Sequence, residues 1–574
     1  MPGRFSFRAK ERVILAVLVF LAFGNTLRHG FVGDDEAVIE KNKFYQSSHN
    51  LRRLFDRSYL TRSNDIFIKS AEYDSSGSVA YRPVLSLTYF MDYRLWGPNP
   101  FGFHLTNVVL HLCNVLLLYQ LVFFLTGQKS AGFWGACLFA IHPVQSEAVA
   151  NLSYRGDLVA AFFFLAAALQ YFAFRQKSGG AGSILKIVLA AALAYFSKES
   201  AVVLIPVWLG YEVFFKNVNG PLLRVRPLLT WTILGGVTAG YLYVYFVVFP
   251  NTTVDEISLS DNLLVKFFLS LWTVTLYIKD IIHPAGLNPL PALFNYNLPE
   301  NIAGGTILSL SVMVGFIYGL VKLAPRNRAA AFLGFWFLIA LVPVSQILPN
   351  VNPVAHRFLY LPLAGLAPFL VLFAQTAQSG LKITVPAVYA RMAQFLIVGV
   401  LLISTIYTNS LWSHNLIIGK NWIKNYPRHP QSYTSVGIEY YRALQCDEAK
   451  TYLLKAKALG DSNPQIGPLL AECSGDDFQE SRTYLLESIG RHPEYAKAHY
   501  LLGELYFKNG RYEESLGPLL RSLDLEPTLQ AAFYAIDAFR NLDKNDQAGQ
   551  VLDAAREVFP ADEFDQLEEM VGQF

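Results

Sequence analysis

Long apolar runs separated by short charged stretches dominate residues 1–424. Runs near 11–29, 104–126, 131–149, 157–174, 184–205, 203–215, 227–249, 302–322, 329–348, 358–376 and 392–410 come near the length, roughly 20 residues, that a helix needs to cross a bilayer. The fifth and sixth overlap around Ser197–Glu199. Residues 262–283 are apolar as well, but a full crossing there would put the basic stretch Lys322–Arg328 on the wrong side. They read as re-entrant or as lying along the membrane, which leaves eleven crossings. Beyond residue 424 the pattern changes. Pro430, Pro464, Pro493, Pro527 and Pro560 are spaced by 34, 29, 34 and 33 residues, near the 34-residue period of tetratricopeptide (TPR) helix pairs. The clearest unit is Tyr500–Pro527: Gly503, Leu505 and Tyr506 suit a first helix, Gly510–Tyr512 a turn, and Ser515, Leu519 and Leu520 a second helix. Tyr433–Gly437–Tyr440–Tyr441 and Ala531–Tyr534–Ala538 repeat the opening, and the unit starting near Gln465 is short. The pattern predicts an all-α chain, a polytopic membrane bundle (1–424) followed by a TPR α-solenoid (425–574).

Lys and Arg in short loops set the orientation. The N-terminal cluster, Gln128–Lys129, Arg175–Lys177, Lys216–Arg226 and Lys322–Arg328 are predicted cytoplasmic, giving N-terminus in and C-terminus out. The first apolar run also fits a signal peptide, but a polytopic chain usually keeps such a helix as an anchor. Segment 30–100 is a long first outer loop. In it Leu51, Leu54, Phe55 and Tyr59 recur at helical spacing with Arg52, Arg53, Asp56 and Arg57 between them, and a second amphipathic stretch runs from Pro83 to Trp96. Both suit the lipid headgroup layer, with a folded loop packed on the protein itself as the alternative.

Composition sharpens the division. The chain is 53% apolar and only 16% charged, against about 25% charged for a soluble protein. Residues 425–574 hold 14 Lys+Arg and 25 Asp+Glu (net −11), leaving 33 and 19 (net +14) in residues 1–424. Four cysteines exclude a disulfide scaffold; Cys446 and Cys473 can pair or remain reduced. Nothing suggests a nucleic-acid partner, whereas membrane lipids are unavoidable ones.

Ionisable groups at membrane depth are costly and mark a site by default. On the predicted outer face are Asp34 and Asp35, Arg82, then His142, Glu147, Arg155 and Asp157, then Lys198 and Glu199, and finally His356 and Arg357. Carboxylates suit a hydroxyl or a metal, and cations suit an anion such as phosphate. Each also has a structural reading. Asp34 and Asp35 would cap the following helix, His142 would satisfy loose carbonyls at a helix end, and Arg155 would pair with Asp157 and Lys198 with Glu199. His283–Pro284 and Arg391 read as ordinary loop residues.

Gly33-Asp34-Asp35, Ala80-Tyr81-Arg82-Pro83 and Phe103-His104-Leu105-Thr106-Asn107 with His111 form the first half of an ordered series. Ile141-His142-Pro143 running to Glu147-Ala148-Val149, Tyr154-Arg155-Gly156-Asp157, Ser197-Lys198-Glu199 and His356-Arg357-Phe358-Leu359-Tyr360-Leu361-Pro362 complete it. The series, ending in TPR repeats, resembles the transmembrane-and-TPR protein O-mannosyltransferases of the GT-C fold. It departs from them in a short TPR array and in Gly33, where the family typically has Trp. The resemblance implies transfer of a sugar, mannose in that family, from a polyprenyl- or dolichyl-phosphate donor to Ser or Thr hydroxyls of exported proteins, with inversion. Asp34 or Asp35 would be the base, with Asp34 preferred. Arg82, Arg155, Lys198 and Arg357 would face the donor phosphate, with His142 and His356 as polar neighbours and Glu147, Asp157 and Glu199 in support. A phosphate leaving group needs no strong acid and no metal cofactor, although paired carboxylates are compatible with a divalent ion. Rival readings are a transferase acting on a lipid or glycan, a non-catalytic TPR scaffold and a transporter. The compact length favours a bacterial inner membrane with a periplasmic tail over an endoplasmic-reticulum membrane with a lumenal one; Asn151-Leu-Ser and Asn251-Thr-Thr fit outward-facing sequons.

Overall fold

The computed structural model describes residues 9–56, 59, 80–177, 180–216, 225–250, 263–284, 287, 302–347, 354–380 and 386–572. The Asn251 triplet and nearly all of 57–79 lie outside them. Every regular element among the described residues is helical. The chain divides into two compact units, Met1–His414 and Asn415–Phe574. The division precedes the change in composition at 424/425 because helix Asn415–Asn425 packs on Pro430–Arg442.

Among the described residues of the first unit six helices are long and apolar enough to cross a membrane: Pro100–Thr126, Gly156–Gln176, Val225–Val248, Gly305–Leu323, His356–Gly380 and Val388–Ser410. Ala181–Tyr195 and Arg328–Val344 are shorter apolar helices. The unit is an integral membrane body, and eleven crossings go beyond what helices of full spanning length supply among the described residues. The run at 131–149 is interrupted. Helix Lys129–Ile141 stops at His142, Pro143 opens a single 3-10 turn, and Ser146–Ala150 follows as a separate short helix. Proline fits a first helical turn and cannot continue a ladder of N–H donors. The overlapping fifth and sixth runs separate into Ala181–Tyr195 and Leu204–Phe214, joined through a 3-10 turn at Glu199–Val203. Residues 263–282 form one continuous helix. Arg391, expected in a loop, lies inside helix Ala387–Ser410.

Helices in a bilayer gain little from burying one apolar face on another, so small residues that allow close approach matter more. A Cβ on Gly365 would lie 2.7 Å from the Leu333 carbonyl oxygen, and one on Gly135 would lie 2.7 Å from Pro368. In the first loop, the helix Pro83–Trp96 ends at Gly97 (φ 61°), and Trp96 folds into the space left by Gly102, where a Cβ would meet the indole at 2.0 Å. The loop helix is thereby clamped to the head of the span that follows it. Of the first predicted amphipathic helix, Ser48–Phe55 is a 3-10 helix with Leu54 buried and Phe55 exposed. Tighter winding than α eclipses side chains three apart, so the expected stripe only partly forms.

The second unit is a run of antiparallel helix pairs. Pro430–Arg442 pairs with Cys446–Ala458, Ile466–Glu472 with Phe478–Arg491, Ala496–Lys508 with Tyr512–Leu525, and Leu529–Asn541 with Asn545–Val558; Ala561–Gly572 closes the series. The unit starting near Gln465 is short because its first helix has only 7 residues. Glycines sit where the two helices of a pair touch: Gly437 meets Leu453, Gly467 meets Ser488 and Gly503 meets Leu519, each leaving no room for a Cβ. Gly503→Ala puts that carbon 2.5 Å from Leu519 Cγ. It is expected to destabilise this unit by about 1–3 kcal/mol through overpacking, read as a lowered thermal midpoint of the detergent-solubilised protein. Cys446 and Cys473 are disulfide-bonded, which closes the question that spacing left open.

Candidate functional site

The turns predicted to share one face do meet. Glu147 stands on the short helix created by the His142–Pro143 break and is buried with Arg357. Its two oxygens take the Arg357 side chain and the Arg357 backbone N–H (3.1 Å). The Arg357 guanidinium carbon lies 3.8 Å from the centre of the Tyr154 ring and 4.9 Å from that of Phe358. Phe358 is approached also by Lys198, whose Nζ is 5.3 Å from the ring centre and donates to Asp157 at 2.6 Å. The Tyr154 hydroxyl donates to Asp34 Oδ2 at 3.2 Å. A continuous path therefore runs from Asp34 through Tyr154, Arg357 and Phe358 to Lys198. Beside it Arg82 grips Glu199 through two bonds of 3.0 and 2.7 Å, with the pair 26% and 32% exposed. The charges of Asp157, Arg82, Glu199 and Arg357 all act on Lys198.

The two aspartates occupy different environments. Asp34 is exposed, whereas Asp35 is fully buried. Asp35 accepts from the backbone N–H groups of Val32 (3.4 Å), Leu152 (3.2 Å) and Ser153 (2.7 Å) and from the Ser153 hydroxyl (2.6 Å). Burial pushes its carboxyl up to about 7 against the pull of those donors. Asp35 stands at the N-cap position of Glu36–Glu40 yet makes no side-chain cap there. It ties the first loop to the 151–155 turn instead.

Other candidates prove to be engaged in the fold. Arg155 is completely buried. It bonds Asn107 (2.6 Å), Thr88 (3.2 Å), the Phe103 carbonyl (3.0 Å) and Asp92 (2.6 Å), with its guanidinium 4.9 Å from the Tyr89 ring centre. So enclosed, it presents no face to a ligand. His142 accepts the Val144 N–H at Nδ1, which leaves the proton on Nε2 to donate to the Ile281 carbonyl (3.1 Å), a helix-end role. His356 pairs with Asp280 at 3.2 Å. Asn151 is 1% exposed, and its side-chain oxygen caps Ser153 N–H, so this sequon is not presented to solvent. Asp92 and Asp280 carry no sequence signal of their own, because their partners come from distant turns, and Phe358 is legible only within the string His356–Pro362. Tyr154 is legible only as part of a string.

The geometry opposes an exposed carboxylate to a cluster of buried and half-buried cations, each already holding a carboxylate. Among the described residues no group of three or more His, Cys, Asp or Glu side chains is arranged to hold a metal ion. Fold and site together define a helical membrane protein with a charged centre at one end of its bundle and a TPR array at its C-terminus.

The comparisons agree with that class. A tetratricopeptide-repeat family model matches residues 474–529. The chain is also similar to protein O-mannosyl-transferases. It is 26% identical to TMTC3 of Homo sapiens across 78% of this chain and 51% of that protein. It is 26% identical to F38B6.6 of Caenorhabditis elegans across 62% and 50%, and 33% identical to TMTC1 of Mus musculus across 36% and 22%. The chain spans about half the length of the first two of these curated relatives. Among solved structures it is similar to the archaeal oligosaccharyltransferase AglB from Archaeoglobus fulgidus in complex with an inhibitory peptide and a dolichol-phosphate (14% identity, 76% of this chain, 59% of that one, TM-score 0.41). It is also similar to ArnT from Cupriavidus metallidurans bound to undecaprenyl phosphate (12%, 96% and 82%, 0.35).

Proposed function

We propose that this protein is a GT-C membrane glycosyltransferase that moves a sugar, mannose by analogy with its relatives, from a polyprenyl- or dolichyl-phosphate to a Ser or Thr hydroxyl of an exported protein. The observation that carries the reading is the path from exposed Asp34 through Tyr154 to the Arg357–Lys198 cluster. The 26% identity to named protein O-mannosyl-transferases supports it independently. Asp34 accepts the proton of the acceptor hydroxyl. The hydroxyl oxygen forms a bond to the anomeric carbon while the bond from that carbon to the phosphate oxygen breaks, its electron pair leaving with the phosphate. Attack opposite the leaving group inverts the anomeric centre. Arg357, Lys198 and Arg82 bind the released phosphate charge, exchanging Glu147, Asp157 and Glu199 for it. The reaction as drawn draws on no metal. The TPR unit holds the acceptor chain, and the site faces away from the cytosol.

The test is incubation of the purified protein with radiolabelled polyprenyl-phosphate sugars and exported protein, beside Arg357→Ala. Label on protein with the unaltered chain, reduced at least about a hundredfold in the variant, is the expected result, since lost transition-state charge stabilisation commonly costs about 10²–10³ in rate. Label in lipid or glycan instead would move the acceptor assignment, and no transfer from any donor would leave a scaffold as the better reading.

A further inference from the structure

Tyr154 sits between the two halves of the proposed chemistry, and the reaction as drawn gives it no role. Its hydroxyl donates to Asp34 Oδ2 (3.2 Å), and the face of its ring carries Arg357 at 3.8 Å. It follows the Asn151–Ser153 segment that Asp35 fastens, and the edge-on Trp412 ring is 6.5 Å from it. A hydrogen bond donated to a carboxylate fixes its orientation, and alignment of a reacting group is itself a large part of rate enhancement. A guanidinium stacked on an aromatic face keeps its edge donors free for a ligand.

We propose that Tyr154 is the positioning residue of this centre: its hydroxyl aims the Asp34 carboxylate, and its ring holds the Arg357 guanidinium in place for the donor phosphate. The proposal rests on the glycosyl-transfer reading. Burial and the Asp34 charge raise the phenol well above its ordinary value, with Arg357 opposing, so the hydroxyl remains a donor throughout the working range. The charged groups around the pair are Asp35, Glu147 and Arg357; on the turn after Asp34, Glu36 is held by Lys41 at 3.0 Å. With Glu147 bound to Arg357, loss of the Tyr154 hydroxyl leaves the Asp34 carboxylate beside Asp35 without this donor.

Tyr154→Phe and Tyr154→Leu separate the two tasks. Phe keeps the ring and removes the hydroxyl. The turnover rate is expected to fall about tenfold or more, since a base no longer held in line with the acceptor hydroxyl loses its alignment, with KM for the donor unchanged within about twofold. Leu removes both, so the donor KM also rises about tenfold or more, the scale of one lost cation–π contact in a desolvated site. Undecaprenyl phosphate added to the protein in detergent gives a readout without turnover: it should raise the thermal midpoint of the unaltered protein and the Phe variant and leave the Leu variant nearly unmoved. A Phe variant with an unchanged turnover rate, or a donor KM rising equally in both variants, overturns the proposal. If the Leu variant fails to fold, the turnover rate and donor KM of the Phe variant alone decide. If the unaltered protein neither transfers sugar nor responds to the lipid phosphate, the function reading falls and Tyr154's role with it. Transfer by the unaltered protein alongside an indifferent Phe variant rejects the Tyr154 role only.

Discussion

Asp34→Asn is expected to lower sugar transfer by about 10²–10⁴, the span over which a positioned general base acts, while the protein unfolds at an unchanged temperature. The carboxylate is exposed, and the bond it accepts from Tyr154 can be made to an amide oxygen as well. Surface changes of this kind usually stay within about 0.5 kcal/mol. The neighbouring Asp35→Asn should behave in the opposite manner. An amide presents an NH₂ to a shell made of three backbone N–H groups and a hydroxyl, so one or more donors lose their acceptor in a fully buried place. Stability falls with that variant, and activity with it. Parallel melting curves and initial rates for the two variants decide between them. Equal thermal loss in both would mean that Asp34 is structural.

Arg155→Leu should be strongly destabilising. Its removal strands Asp92, whose side chain is 3% exposed, without its cation; breaking one side of a buried pair costs about 3–5 kcal/mol. Adding Asp92→Leu should recover most of the loss, because a buried pair exchanged as a whole for apolar residues is often close to neutral. Thermal unfolding of the two single variants and the double variant measures the coupling. A double variant no better than Arg155→Leu would show that the bonds to Asn107, Thr88 and Phe103 matter more than the charge.

Element positions are largely legible in the sequence. Apolar runs locate the spans at 104–126, 157–174, 227–249 and 392–410, and proline spacing locates the helix pairs of the TPR unit, because each signal is local in sequence. Partners are not legible in this way. Sequence sets Arg155 against Asp157 and Lys198 against Glu199 as structural alternatives, since those residues are close in the chain. The structure gives Arg155 to Asp92, Lys198 to Asp157 and Glu199 to Arg82. The charged strings point to one region, while the pairing inside it depends on three-dimensional packing. Span count is hard to read for a related reason. Hydropathy averages across polar breaks such as His142–Pro143 and Ser197–Lys198, whereas the backbone turns there.

The helix Gly156–Lys177 is pinned at both ends. Asp157 in its first turn is locked to Lys198, and Arg175 near its last is locked to Glu212 by two bonds of 2.6 and 2.7 Å, with the Tyr171 hydroxyl on the same carboxylate and Trp231 on that hydroxyl. The two fastenings are about 27 Å apart along the axis at roughly 1.5 Å per residue. Such a rod behaves as a strut. It cannot tilt or slide without parting an ion pair in a poorly solvated place, so any rearrangement of the bundle must hinge on neighbours less firmly tied.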